Sequence, residues 1–283
     1  MLALNEWSLD ARRRIQGVLT DIDDTLTTHG AITPDALEAL FKLKSAGLKL
    51  VAITGRPIGW CENFMTGPAP WPMDAMVAEN GAVAWVRQSV TGNLEKNRTK
   101  PLSGNDLLLS KIYQQTQDTR LANQRRIQVI ANQIVQTVPG AKVTQDSVGR
   151  ETDLAIDHSE FTQLSPTAIE AVQDIMKAAG MHTTLSSIHI HACFGHFNKW
   201  QGANWIVQKL FAQDLAADRD QWAFVGDSGN DESLFENLPN SLGVANIRRF
   251  ANILKYLPRY VTPSERGAGF AEMSSALLES RKH

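Results

Sequence analysis

Residues 16 to 26 read QGVLTDIDDTL, a short apolar run that ends in three carboxylates, Asp21, Asp23 and Asp24, followed by Thr25. In extended backbone, Asp21 and Asp23 lie two apart and face the same side. Two carboxylates on one face repel, and burying them unpaired is costly. A divalent cation relieves both problems. Three further places put reactive polar residues where an apolar run ends or a helix starts. They are Thr54-Gly55-Arg56, Asn198-Lys199, and the run Gly226-Asp227-Ser228-Gly229-Asn230-Asp231.

The elements that must position these residues can be read from pattern. Ile15, Val18 and Leu19 suit a buried strand, and such a run bounded by polar residues is the mark of a parallel strand. Thr33-Pro34 opens a helix, with a hydroxyl N-cap and proline in the first turn. Ala36, Leu37, Leu40, Phe41 and Leu43 supply its apolar face, and Gly47 ends it. Leu48 to Ile53 forms the next buried strand. This strand–helix–strand unit implies a right-handed crossover in a parallel sheet. Val77 to Val86 reads as a strand and turn. Near the other end, a helix from Lys199 and a strand over Trp222 to Val225 restore the same rhythm. Chemistry in an open α/β sheet gathers at the carboxyl ends of its strands, and each of the four clusters falls at such a strand end or at a helix start.

Between these halves the texture changes. Met1 to Arg14 reads as a surface extension, and residues 87 to 106 as a polar linker or exposed hairpin. Leu107 to Val138 is a long helical pattern, with a break near Asp118. Asp153 to Asp157 alternates like a strand with one wet face, Pro166 to Ala179 is helical, and Thr183 to Phe194 is strand-like. This order suggests an α+β module inserted into a parallel domain. The expected fold is therefore α/β: a Rossmann-like parallel-sheet core of residues 1–84 and 197–283, with an inserted α+β cap over 85–196.

Composition narrows the function. The 283 residues are 43% hydrophobic and 20% charged, with a net charge of −2. There is no basic footprint for nucleic acid and no polybasic patch or long apolar run for a membrane. Cys61 and Cys193 belong to no pairwise motif, which fits a reducing cytoplasm. A monomer or a homodimer is expected.

Taken in order, the four clusters resemble the motifs of the haloacid dehalogenase superfamily, in its aspartate-nucleophile phosphatase branch. DIDDT (21–25), TGR (54–56), NK (198–199) and GDSGND (226–231) stand where that family has Asp-x-Asp-x-Thr, a Ser or Thr after a strand, a Lys, and Gly-Asp-x-x-x-Asp. The position of the insertion is similar to the large α/β cap of the sugar-phosphatase-like subgroup (type IIB, Cof-like and sucrose-phosphate phosphatase-like). One departure is Asp24, where that subgroup usually has glycine.

The resemblance implies phosphoryl transfer, which needs an in-line nucleophile, neutralised equatorial oxygens and a proton for the leaving oxygen. Asp21 is then the nucleophile, forming an aspartyl phosphate, and Asp23 the general acid and base. Asp21 and Asp227 would hold Mg²⁺, with Asp23 contributing its backbone carbonyl as in the family, or its side chain. Asp231 either reaches the metal through water or holds Lys199 in a salt bridge. Thr54, Gly55, Arg56 and Lys199 are candidate contacts to the phosphoryl group. A lysine at a helix start opposes the helix dipole unless an anion lies beside it. Asn230 would orient a carboxylate or a cap group.

In the cap, Arg150 could grip a second anionic group or sugar hydroxyls. His189 and His191 alternate on one strand face and could line a cleft, and with Cys193 or His196 they make a zinc site conceivable. Trp60, Trp71 and Trp85 pack the hinge or stack on a sugar. The expected substrate is a small phosphorylated metabolite, most directly a sugar phosphate. Two alternatives remain open: a phosphosugar mutase, and a non-catalytic module that keeps a phospho-acceptor aspartate.

Overall fold

The computed structural model describes residues 1–89, 99–101 and 107–281. The first part of the chain forms strands β1 (Leu2–Ala3), β2 (Gly17–Thr20), β3 (Thr27–Thr28), β4 (Ala31–Ile32), β5 (Lys49–Ile53), β6 (Ala75–Ala78), β7 (Val83–Ser89), β8 (Thr99–Pro101) and β9 (Leu107–Tyr113). Helices α1 (Leu9–Arg14), α2 (Pro34–Ser45) and α3 (Ile58–Thr66) lie between them. The middle part comprises α4 (Gln117–Thr137), β10 (Lys142–Val143), β11 (Asp153–Asp157), α5 (Pro166–Ala178), β12 (His182–Leu185) and β13 (His189–Cys193). The chain ends with α6 (Lys199–Phe211), β14 (Trp222–Gly226), α7 (Glu232–Asn237), β15 (Asn240–Gly243), β16 (Tyr260–Val261) and α8 (Arg266–Glu279).

A ten-stranded sheet runs in the order β1-β16-β15-β14-β2-β5-β6-β7-β9-β8, parallel from β1 to β6 and antiparallel beyond. From β2 the chain builds outward through β5 and β6, then returns to add β14, β15 and β16 on the other side. The strand order therefore reverses between β2 and β14, and the crevice at their carboxyl ends is where such a sheet binds ligands.

Burial follows the pleat. Val18, Leu50 and Ala52 pack with α2, α3 and α8 on one face, while Leu19, Val51 and Ile53 pack with α6 and α7 on the other. The fold class is the expected one.

A separate antiparallel sheet, β10-β11-β13-β12, lies between α3 and α6 in the sequence. Its Leu154, Ile156, Ile190 and Ala192 pack under Ile130 and Ile134 of α4 and Val172 and Met176 of α5. Residues 85–196, read as one insertion, divide between the two sheets, because β7, β8 and β9 hydrogen-bond into the larger one.

Four local expectations need correction. Met1 to Arg14 is more than a surface extension: Leu2 and Ala3 pair with Tyr260 and Val261, and Trp7 is fully buried, its indole N–H donating to Asn240 Oδ1 at 3.0 Å. A single tryptophan among polar residues carries no periodicity. Leu107 to Tyr113 is a strand, and the helix starts at Gln117, with the Thr116 hydroxyl accepting from Thr119 N–H. A short apolar run fits either element by pattern, and pairing with β7 decides it. The polar face of β11 is dry, because Asp153 pairs with Arg150, Asp157 accepts N–H groups of the turn after the strand, and both are buried. Thr33 precedes α2 without capping it through its side chain, although Pro34 stands in the first turn. The linker or hairpin expected over 87 to 106 lies in large part outside the described residues.

Candidate active site

Asp21 follows the last residue of β2, and its N–H donates to Val225 O at 2.9 Å, which ties it to the end of β14. Asp227 follows β14 directly, so adjacent parallel strands deliver both carboxylates to the switch point. Lys199 opens α6, where the Asn198 side chain caps the helix by accepting from Gln201 N–H at 2.9 Å. Its ammonium lies 2.5 Å from Asp21 Oδ1 and 2.6 Å from Asp231 Oδ1 and is fully buried. These two anions offset the unfavourable dipole at that helix start.

The other Asp231 oxygen accepts the N–H groups of Asp227 and Ser228 at 2.8 and 3.1 Å. Both of its oxygens are thus engaged, and of the two roles left open for Asp231 the geometry favours holding Lys199. Gly226 leaves the space this carboxylate occupies, because a Cβ there would collide with it.

Burial dominates the acidity of the group. It pushes Asp21 up to about 7, with Lys199 opposing and Asp231 and Asp23 reinforcing the rise. Asp227 rises well above the usual carboxylate range by burial and by the nearby Asp21, Asp231 and Asp24. Burial works against the charge on Lys199, but Asp21 and Asp231 outweigh it, so its pKa is raised.

Asp21, Asp227 and Asp231 each offer an oxygen, all within 4.8 Å of one another. Asp227 Oδ2 accepts from the Asn246 side chain at 2.9 Å, while its buried Oδ1 has no hydrogen-bond partner among the described residues. An orphaned buried carboxylate oxygen beside two other carboxylates is the donor set a hard divalent cation takes. The residues present fit Mg²⁺.

Asp23 does not join this group. Its carboxylate is gripped by Arg56, whose Nε and Nη2 approach to 3.0 and 2.9 Å. Arg56 in turn reaches across to the small sheet's loops, 2.8 Å from Glu160 and 3.2 Å from Asp146, with its guanidinium 5.3 Å from the Trp60 ring centroid. Burial disfavours the Arg56 charge, but Asp23 and Glu160 more than compensate, leaving it firmly protonated. The side chain expected to meet phosphate is therefore committed to three carboxylates. Asp24 stands aside from the cluster at φ +55°, with an oxygen 2.9 Å from Arg266 Nε. Left-handed backbone favours glycine and tolerates aspartate, which explains the residue types suited to this position.

Thr54, buried at the end of β5, accepts the Arg56 N–H on its hydroxyl at 3.0 Å. Gly55 admits the His191 ring, whose Nε2 would lie 2.7 Å from a Cβ there. Asn230 donates to Asn80 Oδ1 at 3.2 Å and accepts from the Ser228 hydroxyl at 3.1 Å. Gly81, at φ +119°, packs bare against α6: a Cβ on it would lie 2.7 Å from Asn198 O and 3.1 Å from Gly202 Cα.

The Arg150 side chain is buried among protein partners. It donates to Gly55 O at 2.9 Å and to Asp153 at 2.8 Å, bolting the small sheet to the core. Glu79 makes the second bolt, accepting the N–H groups of Ile58, Glu151 and Thr152 and the Thr152 hydroxyl. Burial, reinforced by Asp153, pushes Glu79 up to about 7 against the pull of Arg150.

His189 and His191 are both buried and line a cavity with Asp21, Asp23, Thr54, Arg56, Asn230 and the Ser186–Ile188 turn. The cavity offers about 10 Å³, close to the room a single water needs. His191 Nδ1 lies 3.3 Å from Asp153, and burial together with Arg150 holds its pKa well below the ordinary histidine value. Among the described residues no group of three ligands includes Cys193 or either histidine. Trp71 and Trp85 are packing residues, and the Trp85 indole donates to Ile58 O at 3.0 Å.

Pattern did not reveal Asn246, Asp146 or Glu160. Asn246 also donates to Asp24 O and thereby ties two loops together. Glu160 sits in a turn fixed by Asp157, whose carboxylate accepts the N–H groups of residues 159, 160 and 161. Asp-His-Ser could signal that turn, though not where Glu160 points.

The profile of the haloacid dehalogenase-like hydrolase family matches residues 18–273, spanning both strands that carry the site. The chain belongs to the haloacid dehalogenase-like hydrolases. Among solved structures of this fold, a sucrose-phosphatase from Synechocystis in complex with sucrose and phosphate superposes with a TM-score of 0.62 at 17% identity, covering 93% of this chain and 98% of the other. A HAD/COF-like hydrolase from Plasmodium vivax gives 0.65 at 15% identity over 96% and 99%. A subclass IIB sugar phosphatase gives 0.58 at 15% over 94% and 98%. For this haloacid dehalogenase-like hydrolase the similarity extends through the inserted sheet as well as the core. No helix among its described residues is long and apolar enough to cross a membrane.

Proposed function

We propose that this hydrolase is a Mg²⁺-dependent phosphatase that releases phosphate from a small metabolite, a sugar phosphate, through an aspartyl-phosphate intermediate. The carrying observation is the convergence of Asp21, Asp227, Asp231 and Lys199 at the switch point, beside a cavity that also holds Asp23 and Thr54. The relatives of similar fold described as sucrose-phosphatase and sugar phosphatase support the sugar. A cytoplasmic location agrees with two free, buried cysteines.

Asp21 attacks the phosphorus in line with the leaving oxygen. Lys199 lies against the attacking carboxylate and offsets its repulsion from the phosphoryl oxygens, and the Thr54 hydroxyl is placed at the same cavity wall. Asp23 gives a proton to the leaving oxygen and later takes one from the water that cleaves the acyl phosphate. Arg56 occupies both Asp23 oxygens, so that grip must loosen for Asp23 to reach the leaving oxygen. Asp21 and Asp227, with Asp231 behind them, would hold Mg²⁺, which when bound supplies positive charge against the transferring phosphoryl group. We assign the small sheet with α4 and α5 as the cap, which opens to admit substrate and closes to exclude water.

Phosphate release from a panel of phosphorylated metabolites, with and without Mg²⁺, tests the reading. Asp21→Asn should lower turnover by several orders of magnitude while the fold survives. Hydrolysis of a good substrate at the parental rate by that variant would remove Asp21 as nucleophile.

A further inference from the structure

We infer that Asn80 is a positioning residue for the metal-binding loop: through Asn230 it ties the segment carrying Asp227 and Asp231 to the turn between β6 and β7. The inference rests on the reading of Asp21 and Asp227 as the Mg²⁺ site, and adds to it a residue outside the acidic group.

The turn Glu79-Asn80-Gly81 has an unusual backbone. All three residues have positive φ, at +51°, +53° and +119°. Two of them are not glycine, and such a conformation persists only where its surroundings over-determine it. Here they do. The N–H groups of Glu79 and Asn80 donate to Arg56 O and Thr54 O, both at 3.0 Å, which fastens the turn to the Thr-Gly-Arg loop. The Glu79 carboxylate holds the backbone of Glu151 and Thr152, and Gly81 packs against the start of α6. The turn is thus a fixed point for the loop after β5 and for the helix that carries Lys199.

Asn80 extends that hold to the loop after β14. Its Oδ1 accepts from Asn230 Nδ2 at 3.2 Å, Asn230 Oδ1 accepts from the Ser228 hydroxyl at 3.1 Å, and the Ser228 N–H donates to Asp231 Oδ2 at 3.1 Å. Asn80, Asn230, Ser228 and Asp231 are all buried. Glycine would suit this backbone better than asparagine. The buried Asn80 Nδ2 has no hydrogen-bond partner among the described residues, which is costly. The bond to Asn230 is what the side chain contributes. Asp227, whose N–H shares Asp231 Oδ2 at 2.8 Å, stands on the segment so held. Groups behind a metal ligand change metal affinity by about tenfold or more.

Mg²⁺ titrated into the parent protein, read as the rise in unfolding temperature, tests this apart from turnover. Asn80→Gly keeps the backbone conformation and deletes the amide, and should raise the Mg²⁺ concentration needed for half the effect about tenfold. Asn80→Asp keeps an acceptor for Asn230 in a conformation aspartate tolerates, and should restore most of the loss. Asn230→Ala should weaken Mg²⁺ alike, and combined with Asn80→Gly no further than either alone, since both break one chain of bonds. Asn80→Ser, whose hydroxyl is too short to reach Asn230, repeats the test should Asn80→Gly not fold. Parental Mg²⁺ affinity in Asn80→Gly or Asn80→Ser overturns the inference, as does a loss that adds to that of Asn230→Ala or that Asn80→Asp shares in full. A parent that binds no Mg²⁺ removes this inference and the phosphatase reading together. One that binds Mg²⁺ but releases no phosphate from any ester removes only the phosphatase reading, and the titrations still decide on Asn80.

Discussion

The Lys199 ammonium bridges Asp21 and Asp231 at 2.5 and 2.6 Å, joining the end of β2 to the loop after β14 through the first residue of α6. All three side chains are buried, so this is an ion group whose charges depend on one another.

Removing the cation should therefore cost stability as well as activity. Lys199→Met leaves two buried carboxylates facing each other, and a loss of about 3 kcal/mol is expected in urea unfolding. Lys199→Arg should not rescue turnover, because a planar fork cannot replace a compact ammonium in a space this tight. A variant as stable as the parent would show that Asp21 and Asp231 do not need their counter-charge.

Magnesium binding should strengthen with pH. Asp21 is held at about 7 and Asp227 well above the usual range, so in the metal-free protein both keep their protons to higher pH than ordinary carboxyl groups do. The stability they contribute is present at low pH and lost as pH rises through their folded pKa values, about 7 for Asp21. A cation requires the ionised forms and displaces protons. Thermal unfolding with millimolar Mg²⁺ should show a larger stabilisation at pH 8 than at pH 6. Asp227→Asn should abolish most of it, whereas an increment independent of pH would place the ion elsewhere.

Glu79 makes a separate pH prediction away from the metal group. Its carboxyl is raised from 4.5 to about 7, so its stabilising contribution is complete below the unfolded value and disappears as pH climbs past 7. The shift corresponds to roughly 3 kcal/mol at about 1.4 kcal/mol per pKa unit. Compared with Glu79→Gln, the parent should lose unfolding free energy between pH 5 and pH 8 by an amount of that order. Parallel pH profiles for the two proteins would mean that Glu79 stays ionised behind its four donors.

The core was legible because its chemistry is local. Asp21, Thr54 and Asp227 sit at the ends of strands whose alternation shows in Val18 and Leu19 or Leu50 and Val51, and topology brings those ends together. The cap's contribution was not legible. Glu160 and Asp146 come from loops without period, and they meet an arginine 104 and 90 residues earlier, so nothing in their neighbourhood marks them. Arg56 shows the same limit: its place in Thr-Gly-Arg says nothing of the three carboxylates it meets. Leu107–Tyr113 was ambiguous for a plainer reason, since seven mostly apolar residues satisfy either period.

The bare contact between Gly81 and Gly202 makes the electrostatics around Asp21 depend on a fit of backbones several residues away. Even a methyl group at either position would act as a wedge under the first turn of α6, and Lys199 rides on that turn. The ammonium would lift away from both of its carboxylates at once. An alanine there would disarm the centre from outside it, leaving every side chain of the ion group chemically intact but wrongly spaced.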